Sequence, residues 1–144
     1  MIEITAGDRL NSAPYPLKEL AQQKIQESSW IIKLCSINSN HVVLDYGAGF
    51  GFIAREIKKV AKQVYTFNID DDFTEYCVSL GLDIYNNQPV DITIMKDVVE
   101  NFSYAQFDKI LKTLDTKKLL FNFYDIYLSQ DENKCKHSHA QILQ

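Results

Sequence analysis

His41-Val42-Val43-Leu44-Asp45-Tyr46-Gly47-Ala48-Gly49-Phe50-Gly51 decides the fold. The β-branched run His41 to Asp45 predicts a short strand. The glycine cluster 47–51 then predicts a tight turn, and Phe52 to Ala61 returns to helical spacing through Ile53, Ile57, Val60 and Ala61. Strand, glycine turn, helix is an arrangement that holds ligands. Glycines let the backbone approach a ligand without Cβ interference, and the helix start adds unpaired N–H groups. The spacing discriminates among ligands. A dinucleotide fingerprint wants its third glycine where Phe52 stands, whereas Gly51 comes one residue early. A P-loop is excluded more firmly, since no Gly-Lys-Ser/Thr follows.

On the N-terminal side, Leu17, Leu20, Ala21, Lys24, Ile25, Ser28, Ile31, Ile32 and Cys35 fall at helical steps. They predict an amphipathic helix over 17–35, with Pro14 and Pro16 as its start signal. Ser36 to Asn40 is a loop by composition. On the C-terminal side, Val64 to Asn68 reads as a second strand. Asp70, Asp71 and Asp72 open a helix whose buried stripe is Phe73, Tyr76, Cys77 and Leu80, with Gly81 as its C-terminal cap. Leu82 to Tyr85 and Val90 to Met95 are further strands. Ser103 and Gln106 form a capping box, Phe102 staples onto Phe107, and Phe107, Ile110, Leu111 and Leu114 give the next helix its core face. Lys118 to Tyr124 is the last strand. From Ser129 onward the chain is polar and reads as a tail.

Alternating strands and helices predict an α/β fold: a Rossmann-like, mostly parallel sheet of about five strands with flanking helices. Ligands in such sheets bind beyond the carboxyl ends of the strands. The weak connection is Asn86-Asn87-Gln88-Pro89, because a parallel crossover needs a dozen residues or more. The third strand is therefore vestigial or pairs irregularly at the sheet edge. One domain over 1–128 accounts for most of the 144 residues, with 129–144 as the polar C-terminal tail.

Hydrophobic residues at 46% and charged residues at 24% argue against wholesale disorder. The net charge of −4 is unfavourable for binding phosphate backbones, so nucleic acid is not the expected partner. No apolar run is long enough to span a membrane, and MIEITAGDR lacks the basic start and apolar centre of a signal peptide. Cys35, Cys77 and Cys135 are odd in number and widely spaced, which predicts no disulfide framework and a cytoplasmic setting.

Val43 to Gly51 resembles motif I, Asp-x-Gly-x-Gly-x-Gly, of class I S-adenosylmethionine-dependent methyltransferases. The resemblance extends over residues 41–124. Val64 to Asp70 falls where that family's second strand ends. Asp91 to Phe102 is similar to its Phe-Asp-φ-φ-φ…Asp-Val-φ-Glu-His-φ segment, φ being apolar. Gly81 to Tyr85, with its abrupt link to the next strand, looks like members that modify small molecules. The resemblance implies S-adenosylmethionine as cofactor and in-line methyl transfer to a small-molecule acceptor. It places Asp45 at the methionine ammonium, and Gly47, Ala48, Gly49 and Gly51 along methionine and ribose, with Tyr46 and Ile69 beside them. Asn68 stands where the family has a ribose-binding acid, and Lys96 and Asp97 border adenosine and the transfer site. Candidate catalytic residues are Asp97, Glu100 and Asn101. No metal site is expected.

Three departures from the family pattern stand out. Asn68 has one acceptor oxygen where the family has a carboxylate. Asp70 either replaces it or simply caps the following helix. Asn101 replaces a histidine that serves some relatives as a proton acceptor, and asparagine is no general base at neutral pH. Any deprotonation falls to Asp97 or Glu100, although Glu100 also reads as a salt-bridged loop carboxylate. Finally, the residues after Tyr124 are too few for the antiparallel strand pair that completes the family's sheet. The strand over 119–123 would then need covering by a second subunit, by another protein, or by Ile126 to Leu128 folding back.

These departures motivate a second reading, a degenerate non-catalytic domain acting as a binding subunit. An unrelated nucleotide-binding protein is a third, disfavoured by the glycine spacing. Cys135, His137 and His139 read either as metal ligands or as part of the tail, and periodicity favours packing for Trp30. Tyr15 either packs or reaches over a ligand.

Overall fold

The computed structural model describes residues 17–122 and the backbone of residues 140–143. Helix α1 (Leu17–Cys35) is followed by strand β1 (Val42–Tyr46), helix α2 (Phe52–Lys58), strand β2 (Gln63–Phe67) and helix α3 (Asp71–Ser79). Strand β3 (Asp83–Ile84), strand β4 (Val90–Met95), a single 3-10 turn (Val99–Asn101), helix α4 (Tyr104–Thr113), strand β5 (Thr116–Asn122) and strand β6 (Ala140–Leu143) complete the order. The sheet order is β3-β2-β1-β4-β5-β6. Its first five strands are parallel, and β6 runs antiparallel to β5.

Two apolar layers sandwich this sheet. On one face Ile31 and Cys35 of α1 and Ile53, Ala54 and Ile57 of α2 pack on Val43, Val64, Ile92, Ile94 and Leu120. On the other, Met95, Leu119 and Phe121 pack with Val99 and Phe102, and Phe107, Ile110 and Leu111 of α4 lie against them, half-buried. The capping box of α4 is present in full: Gln106 N–H donates to Ser103 Oγ, and Ser103 N–H donates to Gln106 Oε1. It fixes where the chain turns from the 3-10 turn into the helix.

Strand β3 shrinks to two exposed residues pairing with β2 at the sheet edge, as the short link to β4 requires. The other edge corrects the expected uncovered strand and tail. Ala140–Leu143, within the segment read as a polar tail, pairs with Leu119–Asn122 and takes up its backbone hydrogen bonds. A four-residue pairing segment has too little periodicity to be seen inside polar sequence. Ile126 to Leu128, Tyr15, Cys135, His137 and His139 lie outside the described residues. Among the described residues no helix is long and apolar enough to cross a membrane, and no cluster of three metal-ligating side chains occurs.

Candidate functional site

The glycine turn sits on the tip of β2. Gly47 N–H and Ala48 N–H both donate to the Phe67 carbonyl, at 2.7 and 3.1 Å. Gly47, Gly49 and Gly51 all adopt left-handed backbone, with φ of 86°, 57° and 77°. Their surroundings differ. A Cβ on Gly47 would lie 2.8 Å from Val98 Cγ2, and one on Gly51 would lie 2.6 Å from Leu82 Cδ1, whereas one on Gly49 would meet nothing within 4 Å. Gly47 and Gly51 serve close packing. Gly49 faces open space.

That space is a groove in two parts. One cavity, about 240 Å³, is lined by Leu20 and Lys24 of α1, Asp45, the turn, Lys96 and Asp97. The other, about 180 Å³, is lined by Tyr46, Phe67, Asn68, Ile69, Asp70, Val98, Asn101 and Phe102. Gly47, Gly49, Phe73 and Asp97 line both, so the cavities meet across the turn at the carboxyl ends of β1, β2 and β4.

In the first cavity Asp45 is 2% exposed, and its Oδ2 has no hydrogen-bond partner. Burial pushes its pKa up to about 7, against the pull of the Lys24 ammonium. A buried carboxylate oxygen without a donor is costly unless something cationic completes it. Beside it lies an ion network joining α1 to the end of β4. Lys24 Nζ contacts Glu27 Oε2 at 3.0 Å and Asp97 Oδ2 at 3.4 Å, while Lys96 Nζ contacts Asp97 Oδ2 at 2.7 Å. Burial works against the charge of Lys24, but Glu27 and Asp97 outweigh it and hold its pKa above the ordinary value. With Asp45 ionised, the three carboxylates Asp45, Glu27 and Asp97 stand against the two ammonium groups Lys24 and Lys96, a net charge of −1.

Asp97 itself is in left-handed backbone, φ 58°. Asn122, at the end of β5, grips it from two sides. Asp97 N–H donates to Asn122 Oδ1 at 2.6 Å, and Asn122 Nδ2 donates to Asp97 Oδ1 at 2.6 Å.

In the second cavity Asn68 is committed to the turn. Its Oδ1 accepts from Gly49 N–H at 2.7 Å, and its Nδ2 donates to Cys77 Sγ at 3.6 Å. Cys77 Sγ donates in turn to the Gly49 carbonyl at 3.3 Å, and burial raises its pKa, which favours the neutral thiol. Asp70 is the N-cap of α3, its Oδ1 accepting from Asp72 N–H at 2.8 Å, and it also stands on the cavity wall. Ile69 is 77% exposed there, an apolar side chain on a rim. Tyr46 stacks on Phe67 with ring centroids 4.6 Å apart.

The candidate residues Asp45, Tyr46, Gly47, Ala48, Gly49, Asn68, Ile69, Asp70, Lys96, Asp97 and Asn101 all line one cavity or both. Gly51 lies behind the turn, packed against Leu82 and Cys77. Glu100 lines neither cavity. It sits in the 3-10 turn, its Oε2 buried without a partner, and burial pushes its pKa up. Sequence reasoning missed Asn122, Cys77 and the cavity role of Lys24. Lys24 carried a readable signal, since a lysine in an otherwise apolar helical stripe must face something polar. Trp30 corrects another expectation: it is 46% exposed rather than packed.

The architecture, with its glycine turn at the tip of β1 and its groove across the strand ends, is the class I S-adenosylmethionine-dependent methyltransferase fold. Among solved structures, a SAM dependent methyltransferase from Aquifex aeolicus superposes with a TM-score of 0.57 at 18% identity, over 83% of this chain and 76% of that one. The magnesium protoporphyrin IX methyltransferase of Synechocystis PCC 6803 with bound SAM gives 0.56 at 15% identity, over 83% and 62%. No protein-family model matches the chain.

In sequence, it is 24% identical over 112 residues to the "Probable ribosomal RNA small subunit methyltransferase A" of Methanococcus maripaludis strain C5, covering 76% of this chain and 43% of that protein. The protein of the same description from strain S2 is 25% identical over 100 residues, covering 67% and 36%. The match thus spans less than half the length of these curated relatives. Their descriptions overturn the expectation of a small-molecule acceptor with nucleic acid an unlikely partner. A net charge summed over a whole chain does not describe the local surface an acceptor meets.

Proposed function

We propose that the groove binds S-adenosylmethionine and that the protein transfers its methyl group to RNA. The observation that carries the cofactor assignment is Asp45. Asp45 lines the first cavity and its Oδ2 is buried without a partner, so a ligand that brings an ammonium beside it supplies the missing cation, while the carboxylates Asp45 and Asp97 balance Lys24 and Lys96 around the cavity. A triphosphate or pyrophosphate brings no cation to Asp45. Gly49 adds a stretch of wall without side-chain atoms, and the second cavity offers Ile69 as an apolar rim and Asp70 as a carboxylate for ribose hydroxyls. The two cavities together fall in the size range of small-ligand pockets, roughly 300–1,000 Å³.

When bound, the sulfonium supplies an already activated methyl group. The protein's part is alignment and exclusion of water. Asp45 fixes the amino-acid end, Lys24 and Lys96 offer cations for its carboxylate, and Asp97, clamped by Asn122, forms the wall common to both cavities. RNA as acceptor rests on the descriptions of the two Methanococcus relatives. Labelled S-adenosylmethionine incubated with the protein and small-subunit ribosomal RNA should leave label in the RNA. A second reading, a cofactor-binding domain without catalysis, draws on Asn101: it lines the groove where a base would be useful and cannot take a proton. Cofactor binding with no label in RNA would favour that second reading.

A further inference from the structure

Gly49 lines both cavities with no packing of its own. A Cβ there would meet nothing within 4 Å, yet its backbone is left-handed, φ 57°. Its neighbours in the turn are held by backbone: Gly47 N–H and Ala48 N–H by the Phe67 carbonyl, and Gly51 N–H by the Ala48 carbonyl. Gly49 is held instead by side chains, at both of its polar groups. Its N–H donates to Asn68 Oδ1 at 2.7 Å, and its carbonyl accepts from Cys77 Sγ at 3.3 Å. Asn68 Nδ2 donates to the same sulfur at 3.6 Å, which closes a ring of three hydrogen bonds. The thiol serves the ring as acceptor and donor at once, which a thiolate, having no proton, could not do. Cys77 stands about two helical turns along α3 from its N-cap Asp70. The ring therefore ties the glycine wall of the second cavity to the helix that carries its Asp70 wall.

We infer that Cys77 is a positioning residue for the cofactor: bonded to Asn68 and to the Gly49 carbonyl, its thiol holds the side-chain-free wall of the groove in place. This rests on the cofactor reading above. Cys77 is fully buried and lines neither cavity, so its influence on binding passes through the turn. Packing alone would make it one more core residue, whose truncation costs stability and nothing else. Cys35 supplies the comparison. It is fully buried in the same apolar layer, at the end of α1 that leads into the start of β1.

S-adenosylhomocysteine is titrated calorimetrically into the full chain and into Cys77→Ala, Cys77→Ser and Cys35→Ala. Each is held at a temperature where its own melt shows it folded. Cys77→Ala should weaken binding about five-fold, roughly the worth of one neutral hydrogen bond. Cys77→Ser keeps an acceptor and a donor and should recover most of the loss. Cys35→Ala should melt lower and bind as the parent does. Amide exchange followed by NMR needs no ligand: Gly49 N–H should be protected in the parent and in Cys77→Ser, and exchange several-fold faster in Cys77→Ala. An unprotected Gly49 amide in the parent would overturn the inference without any variant. So would a Cys77→Ser as weak as Cys77→Ala, or equal weakening by Cys35→Ala. If the parent binds S-adenosylhomocysteine and Cys77→Ala binds it equally well, the positioning role alone fails. If the parent binds none, the cofactor reading fails and the role falls with it.

Discussion

Asp97 and Asn122 hold each other by two reciprocal hydrogen bonds, each 2.6 Å long, across the gap between the ends of β4 and β5. One of these bonds satisfies the Asp97 backbone and the other its carboxylate, so Asn122 fixes both φ and side chain of a residue in left-handed conformation. Such conformations cost about 1–3 kcal/mol and persist where surroundings over-determine them. Asn122→Ala should therefore destabilise the protein by about 2 kcal/mol, since it strips partners from a carboxylate. Cofactor affinity should fall about ten-fold as the shared wall loosens. Denaturant titration and calorimetry measure the two effects separately.

The glycines divide into a packing pair and an open one. Gly51→Ala should destabilise by about 3 kcal/mol, because its Cβ would collide with Leu82 and Cys77 in addition to adopting a left-handed φ. Gly49→Ala should cost only the left-handed penalty, about 1 kcal/mol. Yet Gly49→Ala should lose most cofactor affinity, having put a methyl group into the groove. Thermal melts with and without S-adenosylhomocysteine separate the two: the Gly49 variant melts only a few degrees lower than the parent and loses the ligand-induced rise, whereas the Gly51 variant melts much lower.

Asp45 sets a pH dependence of opposite sign for stability and for binding. Its pKa is about 7 when folded, against roughly 3.9 unfolded. Between those values the folded state holds more protons, so apo stability should fall as pH rises from about 4 to about 7 and then level. The fall is a few kcal/mol at most, at about 1.4 kcal/mol per pH unit. Binding of an ammonium needs the ionised form, so cofactor affinity should rise across the same upper range. Asp45→Asn should flatten both curves, raise apo stability at pH 8 and weaken the cofactor about ten-fold or more. A variant that left the pH dependence of binding unchanged would remove Asp45 from the site.

On the proposed cofactor site, Asn68 holds the glycine turn and Asp70 is the carboxylate left on the cavity wall for the ribose. The Asn68 oxygen already accepts from Gly49, and its amide nitrogen faces Cys77, so Asn68→Asp should alter cofactor affinity less than about three-fold. Asp70→Asn keeps a competent N-cap and removes only charge, and should weaken binding about ten-fold if Asp70 meets the ribose hydroxyls. Calorimetry on the pair tests the assignment. A large gain in Asn68→Asp would return the ribose to position 68.

Much of this was legible in the sequence, for physical reasons. The strand–turn–helix at 41–61, the 19 residues of α1 and the Ser103–Gln106 cap are local patterns, fixed by spacing within a few residues. The groove residues at the strand tips were legible because the glycine run marks them. What escaped was non-local. Asn122 meets Asp97 across 25 residues of chain with no pattern joining them. Asn68 reaches back 19 residues to Gly49, a bond that looks in sequence like a defective ribose ligand. Trp30 is one helical step from fully buried Ile31, and periodicity alone does not say that this step reaches the rim.

The most direct test is calorimetric titration of the full chain at pH 8 with S-adenosylmethionine, with NAD and ATP run alongside. The groove predicts one saturable site for S-adenosylmethionine, lost in Gly49→Ala, and no heat from either anionic nucleotide. No heat from S-adenosylmethionine, or tighter binding of NAD or ATP, would contradict the assignment of the groove.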